Sequence, residues 1–374
     1  MLQIKAIGTA VAHAGTIQHG RWKVLRHPTG TTEFIPVIIA QGKEEGPCLW
    51  LTAGIHGSEQ TGPLVIYKLL TQTLLQNMKG SIIAIPALNP AGLRTMKREP
   101  YHSPADPNRM WPDGKPKAPH DPYKDPPSAL EVAYQQLFEK IIASVDCMID
   151  FHNAWTGSLS FAYRDRVLYS ADGDGEANKA EAESLSTRQF EMLKAYGHTI
   201  VSERPAEKVI DADLHRSTSA AVLYLGRVPA FTAELGTGHM PDPAILRAAL
   251  AGTRNVMRWA GMLEGEFEPI EGIRVIQTDE PMCQCPTPRV EHEAVVHHLA
   301  QPGDFVHAGD PVAETFDIWG QPNGLGLLRS EYDGFIIARS HGIYYYPGDE
   351  IYSMAIRDTH PLVCPYPDDY FKTR

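Results

Sequence analysis

The sequence predicts an α/β fold, a largely parallel or mixed sheet flanked by helices, followed by a smaller all-β region. Three observations lead there. Between residues 34 and 262 short apolar runs alternate with stretches whose apolar residues recur at helical spacing, the pattern of strands layered with helices. After residue 266 that spacing gives way to short β-like runs broken by Gly-Asp turns, as in PGDFVHAGD and YPGDEIY. A chain of 374 residues also suits two domains at roughly 100 to 200 residues each, here a large one over 1–265 and a small one over 266–374.

Taken in order, the expected strands are FIPVIIA, CLWLTA, SIIAIPA, VDCMIDF and VPAFTAE. The expected helices are TGPLVIYKLLTQTLLQNM, SALEVAYQQLFEKIIAS, EAESLSTRQFEMLKAY and PAILRAALAGTRNVMRWAGML, the second opened by Ser128 as an N-cap after two prolines. Residues 89–127 form a long connection rich in Pro, Asp and Gly, and connections of that length inside a domain usually carry function.

Bulk properties exclude several classes. A formal net charge of -11 without any Lys/Arg stripe removes the electrostatic footprint of nucleic-acid binding. No stretch approaches the roughly 20 apolar residues of a membrane span, and the start of the chain lacks a secretory pattern, so a cytoplasmic protein is expected. Five thinly spread cysteines do not read as a disulfide framework. Cys283 and Cys285 form a C-x-C pair that is either a metal-binding fragment or, with no second pair nearby, a turn with two thiols.

Chemistry concentrates at the ends of apolar runs. CLWLTA leads into Gly54-Ile55-His56-Gly57-Ser58-Glu59, a tight turn carrying a histidine and a glutamate three apart. VDCMIDF ends in Asp150-Phe151-His152. Two imidazoles and a carboxylate with one position left for water are a recurrent catalytic zinc set. Asp150, two residues before His152 on the same side of a strand, is placed to orient that imidazole. In open α/β sheets such groups gather beyond the carboxyl ends of strands. H-x-x-E alone also arises by chance in a chain with sixteen histidines, so the pattern gains meaning only in company. Glu234, at the end of VPAFTAE and close to Gly236 and Gly238, is the candidate general base; its plainer alternative is a helix-start carboxylate. Arg94, Lys97, Arg98 and Arg109 against only Glu99 and Asp106 make residues 89–112 locally positive, which suits an anionic substrate or a merely solvated loop.

In this order the residues resemble the succinylglutamate desuccinylase/aspartoacylase family, within the wider zinc-carboxypeptidase-like fold group. The matching segments are Gly54-Ile55-His56-Gly57-Ser58-Glu59, Asn89-Pro90, Asp106-Pro107-Asn108-Arg109, Asp150-Phe151-His152-Asn153 and Glu234-Leu235-Gly236. The resemblance implies a zinc-carboxypeptidase-like mixed sheet and one zinc ion per chain held by His56, Glu59 and His152. It further implies Glu234 as general base and proton shuttle, Arg98 as the group that polarises the scissile carbonyl, and Asn108 and Arg109 as holders of the substrate carboxylate. Arg98 precedes Asn108 by a longer gap than expected for aspartoacylase. Arg164, Arg166 and Arg216 are the candidates for reading the acyl side. The expected activity is removal of a short acyl group from an N-acylated amino acid or related small anionic substrate. A metallocarboxypeptidase acting on peptides is the alternative, and an inactive binding or scaffold protein a third reading.

The β region resembles the barrel-sandwich of biotinyl and lipoyl carriers through Gly303-Asp304-Phe305-Val306 and Gly309-Asp310-Pro311-Val312, but no lysine lies between Lys208 and Lys372 to accept a prosthetic group. Its expected role is to wall the active site or to contact another subunit of a homo-oligomer.

Overall fold

The structure, a computed structural model, describes residues 6–115, 123, 125–155, 157–236 and 238–371. Its centre is a twelve-stranded mixed sheet. In chain order the strands are β1 (Thr16–Arg26), β2 (Thr32–Gln41), β3 (Glu44–Ala53), β4 (Lys79–Ile85), β5 (Cys147–His152), β6 (Phe161–Arg164), β7 (Thr199–Ser202), β8 (Ala230–Glu234), β9 (Met282–Pro286), β10 (Phe305–Val306), β11 (Gly334–Arg339) and β12 (Tyr352–Arg357). Across the sheet they lie in the order β10-β11-β12-β9-β7-β6-β8-β5-β3-β4-β2-β1.

The five expected strands are all present, and their sequences explain their places. Every residue of β5 is buried, as expected of a parallel strand covered on both faces, and its first three, Cys147, Met148 and Ile149, are apolar without alternation. Its neighbours β3 and β8 run parallel to it, and β4 runs parallel to β3. Successive side chains point to opposite faces and feed two cores. Trp50 and Met148 join Trp111, Tyr134 and Leu137 on one side. Leu51, Ile149 and Phe151 join Val65, Tyr196, Phe231 and Val256 on the other. Helix Ala129–Ile141 covers the first face, and helices Thr61–Leu69 and Pro243–Trp259 cover the second.

Ser128 caps its helix as expected, accepting from the Glu131 amide at 3.1 Å. The single helix expected over TGPLVIYKLLTQTLLQNM is instead two, Thr61–Leu69 and Gln72–Asn77. Leu70 leaves helical geometry, and the Thr71 hydroxyl caps a fresh start by accepting from the Leu74 amide. Strands β1, β6 and β7 went unread in the sequence. β1 lies at the sheet edge and mixes polar with apolar residues, while β6 and β7 are too short for a clear period.

The C-terminal β region does not stand apart from this sheet. β9 pairs parallel to β7 through Ser202 and Cys283, and β12, β11 and β10 follow antiparallel. Four of its other strands form a second sheet, packed through a core that holds Val296, Val312 and Tyr352, and Val363–Pro365 pairs with Val167–Tyr169. Arg166, just past β6, fastens the two halves. Its Nη2 meets Asp358 at 3.0 Å, and its other N–H groups donate to the carbonyls of Glu203, Arg204, His360 and Pro361. Both charged side chains are 0% exposed. Removing one member of a buried pair strands the other charge, so Arg166→Ala is expected to lower unfolding free energy by about 3–5 kcal/mol, measured by urea denaturation.

Candidate active site

Three parallel strands, β3, β5 and β8, deliver the chemistry at their carboxyl ends. His56 and Glu59 lie in the turn after β3, His152 is the last residue of β5, and Glu234 is the last residue of β8, in register beside His152. The turn needs its glycines: Gly54 has φ +64, and a Cβ on Gly57 would stand 1.9 Å from the Gly92 carbonyl carbon. That close approach brings the long connection against the turn. Asn89 then clamps the two together, capping helix Pro90–Thr95 with its oxygen while its amide donates to the carbonyls of Ile55 and Arg98.

His56, Glu59 and His152 present one ligand atom each, all within 4.8 Å of one another. Nδ1 of His56 lies 2.7 Å from one Glu59 oxygen, and Nδ1 of His152 lies 2.9 Å from the other. The far nitrogens are tied as well: Nε2 of His152 to Asp150 at 3.0 Å and Nε2 of His56 to Asp106 at 3.2 Å. Asp150 is held in turn by the Thr52 hydroxyl at 2.6 Å. A carboxylate accepts, so each Nε2 donates, and an imidazole that ligates a metal in its neutral form then has its lone pair on Nδ1, toward Glu59. Two lone pairs facing a carboxylate call for positive charge between them. This donor set fits a bound cation, and His/His/Glu chemistry fits zinc.

The electrostatics agree. Burial works against charge on His152, yet Asp150 and Glu59 hold its pKa well above the usual histidine value. Burial likewise opposes ionisation of Glu59, but the two imidazoles hold that carboxyl well below the usual range. A proton on His152 thus stands in for the cation. Asp106 is also held low, its burial overcome by His56 and Arg98. Glu234 goes the other way: burial pushes it up to about 7, against the pull of His152 and with the push of Glu59. Its Oε2 is buried and has no hydrogen-bond partner among the described residues.

Arg98 reaches the same place, its Nη1 3.2 Å from Nδ1 of His56 and its Nη2 2.8 Å from Asp106. Asn108 is buried, its oxygen fixed by the amide and hydroxyl of Thr218. Arg109 is held by the carbonyls of Ala212 and Asn108. Both line a cavity of about 570 Å³ that contains His56, Glu59, His152, Arg98 and Glu234. The basic loop therefore divides: Arg98 and Arg109 face the cavity, whereas Arg94 turns to Glu33.

Arg164, Arg166 and Arg216 do not line it. Arg164 stacks on Phe190 at 4.1 Å, Arg166 is locked on Asp358, and Arg216 pairs with Glu131. Arg204 lines the cavity in their stead, unread in the sequence because nothing local marks it. Asp106 and Asn153 stood in the sequence motifs without a role. Asn153 accepts from the Thr61 amide, donates to Gly236 and Gly238, and offers its own amide to Glu59. Cys283 sits against the Glu203 carbonyl and Arg166, away from the His/Glu cluster. Gln284 and His341 show that the C-terminal β region walls the cavity.

The model of the succinylglutamate desuccinylase/aspartoacylase catalytic domain matches residues 45–260. The chain is 24% identical over 348 residues to the N-alpha-acetyl-L-2,4-diaminobutyric acid deacetylase of Halomonas elongata, covering 90% of this chain and 91% of that one. Among solved structures it is similar in fold to the product-bound ectoine utilization protein EutE (DoeB) from Ruegeria pomeroyi, with TM-score 0.68, 21% identity and coverage of 91% and 95%. A succinylglutamate desuccinylase/aspartoacylase from Rhodobacter sphaeroides gives TM-score 0.69 at 19% identity, covering 92% of this chain and 96% of that one.

The raised pKa of Glu234 sets a stability prediction for metal-stripped protein. The folded state binds this proton more tightly than the unfolded one, so the stability it contributes is full below 4.5 and is lost as pH rises through about 7. Glu234→Gln escapes that loss. Its unfolding free energy, measured by urea denaturation, should rise relative to wild type between about pH 5 and about pH 8, by an amount on the order of 1–3 kcal/mol.

Proposed function

Because the chain belongs to the succinylglutamate desuccinylase/aspartoacylase family, we propose that it is a zinc-dependent amidohydrolase that removes a short acyl group from a small N-acylated amino acid. The observation that carries this reading is the convergence of His56, Glu59 and His152 on one point of a cavity that also holds Glu234, whose buried Oε2 has no hydrogen-bond partner among the described residues. The relative from Halomonas elongata, a deacetylase of an acetylated amino acid, supports the reaction class.

His56, Glu59 and His152 would hold the zinc, which when bound makes a water more acidic and polarises the scissile carbonyl. Glu234 takes the proton from the attacking water as the new C–O bond forms, then delivers it to the amide nitrogen as the C–N bond breaks. The products are a carboxylate and a free amine. A carboxyl with a pKa of about 7 suits both transfers at neutral pH. Arg98 faces the developing charge on the carbonyl oxygen, with Asp106 fixing its guanidinium. Arg109 and Asn108 receive the substrate carboxylate, the anionic end that the positive loop leads one to expect. A cavity of about 570 Å³ suits a small acyl amino acid.

The test is metal content and amine release for wild type and His152→Ala across acetylated and succinylated amino acids and short peptides. Wild type is expected to hold one zinc, lose activity to a chelator, regain it with zinc and prefer acyl amino acids; His152→Ala should lose both metal and turnover. Preference for peptides with a free carboxyl end would move the assignment to a carboxypeptidase, and metal without turnover on any of these would remove the enzymatic reading. Glu234→Gln should keep zinc and lose about 10²–10⁴-fold in kcat/KM. Since the base must be deprotonated, wild-type kcat/KM should fall on the acid side, with an apparent pKa at or below about 7 because bound metal favours the carboxylate.

A further inference from the structure

Among the acids that the hydrolytic scheme does not use, Asp165 and Glu203 line the cavity together with Arg109 and Arg204. Glu33 lies outside it, as the second residue of β2, with its side chain only 1% exposed. Its two oxygens face groups from elsewhere in the chain. Nε2 of His27, in the turn after β1, stands 3.3 Å from Oε2, and Nη1 of Arg94 donates to the same oxygen at 3.4 Å. Nε2 of His102 approaches Oε1 at 3.6 Å. Tyr101 closes the group, its hydroxyl 3.3 Å from Nε2 of His27 and its ring stacked on that imidazole.

Arg94 and His102 stand four residues to either side of Arg98. Residues 96–106 lie between helix Pro90–Thr95 and the turn Pro107–Arg109, outside any helix or strand, so neither helix nor sheet pairing fixes their path. Side chains do so at every fourth residue. Arg94 and His102 meet Glu33, while Arg98 and Asp106 meet His56 and each other. Asn89 holds the Arg98 carbonyl between those points. A carboxylate is costly to bury and is tolerated where it gains partners, and two of the three that Glu33 gains come from this loop.

We propose that Glu33 is a positioning residue for the reaction: by gripping Arg94 and His102 it holds the segment between them so that Arg98 reaches His56 and the scissile carbonyl. The inference rests on the deacylase reading for what Arg98 does, and adds the acid that places it. Glu33 acts only through the loop, since it does not line the cavity. Without it the guanidinium swings on a segment fastened at fewer points, and a misplacement of about 1 Å can cost about a hundredfold in rate. Arg98 serves charge that develops only in the transition state, so the loss falls on kcat and kcat/KM alike and leaves KM nearly unchanged.

The test is a double-mutant cycle on zinc-loaded protein with the acetylated amino acid that wild type turns over fastest. Glu33→Gln should lose about tenfold or more in kcat with KM within about threefold, and Arg94→Ala about threefold or more in the same direction. In an Arg98→Ala background either change should cost less than about twofold, because a residue that acts through Arg98 then has nothing left to position. Arg94 is more than half exposed, so its variant guards against a Glu33→Gln protein that fails to fold. Amide hydrogen exchange gives a reading without turnover: residues 96–106 should exchange faster in either variant while the core strands keep their rates. Unchanged kcat, losses that add to that of Arg98→Ala, or unchanged exchange over 96–106 overturns the clamp. If wild type turns over no acylated amino acid, the deacylase reading falls, and exchange alone decides whether Glu33 holds the loop.

Discussion

Everything at this site depends on one carboxylate caught between two imidazoles. Glu59 offers an oxygen to each of His56 and His152, and each ring is braced from behind by an aspartate. None of the four braced contacts can relax independently, because Asp150 is itself fixed by Thr52 on the adjacent strand and Asn153 pins Glu59 through its backbone amide. A fold that assembles so much like charge must either neutralise it or supply a cation. The ionisation states follow from that constraint, with Glu59 and Asp106 driven toward charge and Glu234, one strand over, driven away from it.

The sheet makes the arrangement affordable in conformational terms. Parallel neighbours β3, β5 and β8 end at the same level, so three residues distant in sequence become adjacent without any irregular backbone in the core. The long connection is then drawn in by Gly57 and Gly92 and held by Asn89, which places Arg98 and Asp106 against His56. Asn89-Pro90 therefore works as a clamp that does no chemistry itself.

Most of the His/Glu side of the candidate site was legible in the sequence because its signals are local. An apolar run ending in a histidine announces both a strand and a group at its end, and this sufficed for His56, Glu59, His152, Asp150 and Glu234 to be found together in space. What escaped depends on pairing across the chain. Arg166 read as a candidate for substrate contact, and only the fold shows that Asp358, far along the sequence, consumes it. Arg204, Asp165 and Glu203 carry no motif and come together through the pairing of two four-residue strands. The C-terminal region read correctly as β-rich, but sequence texture cannot reveal that β9 continues the large sheet.

That continuation divides the wall of one cavity between two parts of a single sheet. His152 and Glu234 end strands at the middle of the sheet and His56 and Glu59 follow a third, whereas Gln284 and His341 reach the same space from its far flank. Replacement of residues along that flank can reshape the wall while leaving Glu59 and its two histidines in place. Substitutions along that flank and at the ends of β6 and β7 change what the cavity admits without touching the turn after β3 or the ends of β5 and β8.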